Sequence, residues 1–218
     1  MGRERARDRI AAARAAEKRR ERRRWIITFA VTGVLVVLIA GGVFWTLRGR
    51  HAAQAAAAAG TGAPPWARPA DTAARAKAAG LAVTTMEGTA VHFHTHLDVL
   101  VDGKPVTVPA DLGIAGTGAL AELHTHDTTG VLHVEAPAKG KEYTLGQLFQ
   151  EWHVRLTATA IGGLRDGGGR TLTAYVDGKK TPGDPARIAL APHREIALVF
   201  GRPGTAKIPS RYRFPAGL

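Results

Sequence analysis

The chain has 218 residues, enough for one or two domains, and no cysteine, which excludes a disulfide-stapled scaffold, thiolate metal sites, iron–sulfur clusters and a cysteine nucleophile. Its formal charge is +12, but residues 1–24 hold eleven Lys/Arg against four Asp/Glu, and residues 48–84 hold five against one. Residues 85–218 hold fourteen against thirteen, so the C-terminal bulk is nearly neutral, and the distribution argues against a basic nucleic-acid-binding domain.

Residues 1–24, rich in Ala and Arg, are helix-prone and read as a basic cytoplasmic segment. It serves as a topology determinant, or as a contact for anionic lipid head groups. Residues 25–47, WIITFAVTGVLVVLIAGGVFWTL, contain no charge. That length suits a helix crossing about 30 Å of hydrocarbon, with Trp25 and Trp45 near the two interfaces. The expectation is one transmembrane helix in the cell membrane. The basic N-terminus is then cytoplasmic and residues 48–218 are extracytoplasmic. The small residues of AAQAAAAAG at 52–60 leave a cleaved signal peptide as the alternative. Residues 48–84, mostly Ala with Gly60, Gly62, Pro64, Pro65 and Pro69, predict a linker.

From residue 85 the hydropathy turns to period two. Val91, Phe93, Thr95 and Leu97 alternate with His92, His94, His96 and Asp98, and Asp102-Gly103 follows as a hairpin turn. The tetrapeptide Val-Asp-Gly-Lys recurs at 101–104 and 176–179, predicting a second hairpin. Further strands are predicted at 120–125, 131–135, 186–190 and 195–200. Thr144 and Gln147 have capping-box spacing, ahead of a helical stripe of Leu145, Leu148, Phe149 and Trp152. Neither glycine-rich phosphate-binding pattern occurs around Gly162–Gly169. The fold class expected is α+β: a mainly antiparallel β domain over 85–218, with hairpins and one short helix, preceded by one transmembrane helix.

The chemistry concentrates in histidine. Six of nine lie between residues 92 and 133. Residues two apart on a strand share a face, so His92, His94 and His96 line one strand, His124 and His126 a second, and His133 and Glu135 a third. Pairs on neighbouring strands can supply three or four nitrogens to one ion. The expected ligands are His94, His96, His124 and His126, with His92, His133, Asp127 and Glu135 as reserve ligands, outer partners or a general base. Without cysteine, and with Met1 and Met86 the only methionines, the donor set suits zinc or copper(II) better than a soft copper(I) site. Asp127 in DTTG also fits a turn. His153 and His193 read as ordinary surface residues.

VHFHTHLDVLVDG, LHTHDTTGVLHVEAP and YTLGQLFQEW, in that order, resemble an uncharacterised family of single-pass membrane-anchored proteins of actinobacterial type. The resemblance covers about residues 88–215 and rests on His92, His94, His96, His124, His126, Asp127, His133 and Glu135. It implies no activity. Residues 144–200 are similar in pattern to β-grasp domains, and Gly88, His94, His96 and Gly103 loosely resemble the first motif of cupins, without its Glu or a second motif. Three functions stay open: a membrane-anchored metal-binding module, a metal-dependent enzyme at the same site, and an interaction or pH-sensing domain with structural histidines. The protein partner is not legible. Ser210 is the only serine and lacks a nucleophile-elbow pattern.

Overall fold

The structure is a computed structural model that describes residues 60–116 and 118–218, together with residues 22, 25, 33, 38, 39, 41, 42 and 44–48. It divides into two compact units, Met1–Ala52 and Ala53–Leu218.

In the first unit the described residues are helical. Among the described residues no helix is long and apolar enough to cross a membrane. The expected fold class, with a transmembrane helix over 25–47, is corrected on that finding. The rest of 25–47, nearly all of 1–24, and 49–59 lie outside the described residues.

The second unit is built on a mixed sheet. Its central strand is long because an unbroken period-two run with β-branched and aromatic members fits a pleated surface. This is β2, Val91–Val101, preceded by the short β1, Val83–Thr84. A two-residue turn then reverses the chain into β3, Lys104–Val106. Asp102 and Gly103 both adopt positive φ, 49° and 77°, as the hairpin twist requires. Asp177 and Gly178 repeat this at 51° and 76° between β10, Thr171–Val176, and β11, Lys179–Thr181. The intervening strands are β4, Leu120–Ala121, β5, Leu123–His124, β6, Val131–Ala136, and a small meander of β7, Leu156–Thr157, β8, Ala160–Ile161, and β9, Leu164–Arg165. The last strand, β12, is Glu195–Gly201.

The main sheet runs β11-β10-β12-β2-β6-β5, with β3 also paired to β2. The β12–β2 pair is parallel and every other strand pair is antiparallel, so the sheet is mixed. Residues 144–200 do contain a short helix and a VDGK hairpin. Their sheet, however, is completed by β2, β5 and β6 from residues 91–136. The predicted strand at 186–190 is instead a 3-10 turn, Pro185–Arg187, because Asp184 accepts from the Ala186 N–H at 3.0 Å and Pro185 opens the turn.

Register sorts the two sheet faces. Leu97, Val99, Leu132, Val134, Ile196, Leu198 and Phe200 fall on one face and join the hydrophobic core. Helix α1, Thr72–Ala78, and helix α2, Leu145–Glu151, contribute to that core. In α2 the Gln147 side chain accepts from the Thr144 N–H at 3.0 Å, completing the predicted cap.

Residues 60–84, inside the predicted linker, also pack in this unit. Trp66 is 2% exposed, its ring meets Trp152 edge-on at 5.7 Å, and the Trp152 indole donates to the Trp66 carbonyl at 3.2 Å. Leu81 and Ala76 belong to the same core. The opposite sheet face carries the histidines.

Candidate metal centre

Strand register assembles the centre. His94 on β2 lies opposite His133 on β6, and His133 lies opposite His124 on β5. Three imidazoles therefore form a row across the sheet. The next row pairs His92 with Glu135. His126 reaches the same place from beyond the end of β5. Its Nε2 is 3.2 Å from His124 Nε2, and its ring centroid is 4.5 Å from that of His133. The rings of His94 and His133 are 4.5 Å apart, and those of His124 and His133 are 5.4 Å apart.

Hydrogen bonding fixes which nitrogens are free. His124 Nδ1 contacts the Ala121 carbonyl at 2.9 Å, and a carbonyl only accepts, so the proton is on Nδ1. Burial pulls the His124 pKa down to about 4, and the ring is neutral near pH 7. Its Nε2 then presents a bare lone pair toward His126. This is the usual way a backbone carbonyl orients a metal-binding imidazole. Burial, followed by the neighbouring His124 and His126, pulls His133 down to about 3. Burial and the adjacent His92 lower His94 as well. Burial raises the Glu135 carboxyl.

His124, His126, His133 and Glu135 each offer one donor atom, and these atoms all lie within 4.8 Å of one another. His133 Nδ1 is 3.4 Å from Glu135 Oε1, and His124 Nε2 is 4.0 Å from Glu135 Oε2. Two donors bound at about 2.0–2.1 Å to one tetrahedral ion sit about 3.3 Å apart, so the spacing suits a zinc-sized cation. His133 Nδ1 and Glu135 Oε2 are buried without a hydrogen-bond partner. Buried polar atoms are normally satisfied, and a cation is one way to satisfy these two. The buried histidine and glutamate groups can hold a metal ion. His92, His94 and Glu135 form a second such group.

His96 is elsewhere. Its Nε2 donates to the Thr129 carbonyl at 2.8 Å, and its Nδ1 is 2.9 Å from Glu195 Oε2. Burial alone would depress its pKa, but the hydrogen bond and charge of Glu195 outweigh that and raise it. Both His96 nitrogens face oxygen partners, and His96, Asp98 and Glu195 form a third group whose donor atoms lie within 4.8 Å of one another. Tyr212, from the C-terminal segment, stacks on the ring at 3.8 Å. The structure thus places His96 with Asp98 and Glu195, in a group apart from His94, His124 and His126. Asp127 also stands apart. Its Oδ1 accepts from the Thr129 N–H at 2.8 Å and from Thr129 Oγ1 at 2.5 Å, forming the turn that its sequence allows, and this lowers its pKa. The His193 ring contacts the Leu218 carbonyl at 3.1 Å and Phe214, and its backbone N–H donates to the His94 carbonyl at 2.7 Å. Glu195 and Tyr212 are the site residues that the sequence reading missed. The period-two pattern of EIALVFG placed Glu195 on a strand, and only the parallel β12–β2 register brings it opposite His96.

The chain matches no family model, no curated protein and no solved structure.

Proposed function

We propose that the protein is a metal-binding module that holds one divalent transition ion, zinc or copper, through His124, His126, His133 and Glu135. The observation that carries this reading is the convergence of three imidazoles and a carboxylate in which two donor atoms, His133 Nδ1 and Glu135 Oε2, are buried with no other partner. Burial holds His124 and His133 neutral, which is the form that binds metal. With no thiolate in the chain, imidazole and carboxylate donors suit zinc or copper(II).

Elemental analysis of the protein, purified without a histidine tag, tests it alongside thermal melting. A ligand that binds only the folded state adds about 2.7 kcal/mol at a hundredfold excess over its dissociation constant. For a unit of this size that is a melting shift of roughly 5–10 °C, reversed by chelator. His124→Ala combined with His126→Ala removes the shift, whereas His193→Ala keeps it. Failure of both zinc and copper to shift the wild-type protein defeats the reading.

A further inference from the structure

Glu135 stands between two sets of imidazoles. Its side chain is 4% exposed, and its Oε1 is 3.4 Å from His133 Nδ1 and equally 3.4 Å from His92 Nε2. Its Oε2 has no hydrogen-bond partner and is 4.0 Å from His124 Nε2. One ion at His124, His126 and His133 leaves His92 and His94 unexplained, although His94 lies in the same row and His92 one row away on the same sheet face.

Those two imidazoles have ligand spacing of their own. His92 Nε2 and His94 Nε2 are 3.3 Å apart, and their ring centroids are 5.0 Å apart. Edges of 3.3 and 3.4 Å again match donors about 2.0–2.1 Å from one ion. The two sets abut, since the His94 and His133 rings lie 4.5 Å apart.

We propose that the centre is dinuclear: a second divalent transition ion is bound by His92, His94 and Glu135 Oε1, and the Glu135 carboxylate bridges it to the first. This rests on the metal-binding reading above. A carboxylate that gives one oxygen to each ion suits the separation of about 3.5–4 Å found in two-metal sites. The ions are not equivalent. The first has four protein donors and sits behind the fully buried His124. The second has three, and the His92 side chain is 52% exposed. Three protein ligands leave a position for water, so the second ion is the exchangeable one.

The test uses the full chain without a histidine tag, stripped with chelator, and titrated with zinc under native mass spectrometry and with copper(II) under electron paramagnetic resonance. Wild type takes up two zinc ions. At two equivalents copper(II) shows a dipolar-coupled pair with a half-field signal. His92→Ala, an exposed position that leaves the core untouched, weakens the second site at least tenfold. His92→Ala with His94→Ala binds one ion and loses the coupling, while the melting temperature of the metal-free variant stays near wild type. Glu135→Gln also loses the coupling. Two ions retained in the double variant place the second ion elsewhere and overturn the proposal. A single ion in both wild type and double variant overturns it too, and leaves the mononuclear reading standing. No ion in wild type defeats both.

Discussion

Acidifying the metal-free protein from about pH 7 to about pH 5.5 is expected to make His124 and His133 together withdraw roughly 2.5 kcal/mol of stability. His124 and His133 titrate near 4 and 3 in the folded chain, against 6.5 for an ordinary histidine. Both folded values are depressed, so the unfolded chain binds more protons as soon as the pH falls toward 6.5. Stability is full above that value and drains as pH falls toward the folded values. One pH unit below 6.5 each group has forfeited about 1.4 kcal/mol, of which about 0.2 is already lost at pH 7. Two groups give roughly 2.5 kcal/mol, or a fall in melting temperature of about 5–10 °C for a unit of this size. His96 acts in the other direction. Its folded pKa is raised, so its contribution is complete below 6.5 and is lost as pH rises through the folded value. The buried carboxyls of Glu135, Glu151 and Glu195, whose pKa values burial raises, also gain stability as pH falls, so the histidine contribution is read against a variant that lacks it. Calorimetric scans of the chelator-treated protein at several pH values measure the balance. Replacing both His124 and His133 with Asn removes this contribution, and the difference between the two slopes is the histidine term. Wild-type and double-variant profiles that run parallel between pH 7 and 5.5 refute the claim that these imidazoles are buried in the neutral form.

Replacing His96 with Asn leaves Glu195, 2% exposed at its side chain, without its cation; the expected loss is about 3–5 kcal/mol in denaturant titration, with zinc stoichiometry unchanged. Trp66→Ala opens a cavity against Trp152 and Gly162, and should cost about 3–5 kcal/mol; a fragment starting at residue 85 lacks Trp66, Ala76 and Leu81 and should melt below one starting at residue 53 or fail to fold. Glu151 is fully buried, neither carboxyl oxygen has a partner, and burial raises its pKa well above the carboxylate range. Glu151→Met should therefore raise the melting temperature at neutral pH, by an amount corresponding to about 1–3 kcal/mol; a lower one would mean that the carboxyl has a structural partner.

Much of the domain was legible because its signals are local. Asp-Gly at 102–103 and 177–178 demands a tight hairpin, and Thr144 with Gln147 demands a helix start, whatever the rest of the chain does. Residues 60–84 carry no such signal. Trp66, Ala76 and Leu81 are isolated anchors among Ala, Gly and Pro, without the periodicity that marks an element. They are held because Trp66 fits between Trp152 and the backbone at Gly162, where an added Cβ would come within 2.5 Å of the Trp66 ring. That complementarity is set by Trp152, 86 positions away, and by Gly162 beyond it. The helix at Thr72–Ala78 was hidden for the same reason: its buried side is short, with Thr72 and Ala76 supplying it.

The histidines show where a one-dimensional pattern stops. Period two states that His92, His94 and His96 share a face, and it treats them alike. What separates them is the neighbour across the sheet. His94 faces His133 and His92 faces Glu135, on the antiparallel side. On the parallel side His96 faces Glu195. A neutral imidazole beside other neutral imidazoles gains little from a proton, since a second charge in the cluster would be repelled; it keeps its lone pair and can bind a cation. His96, hydrogen-bonded to the buried Glu195 carboxylate at 2.9 Å, is instead shifted toward the protonated form. The same residue type, two positions apart, thus faces other imidazoles in one row and a buried carboxylate in the next. The single residue that decides between them, Glu195, is 99 positions along the chain from His96.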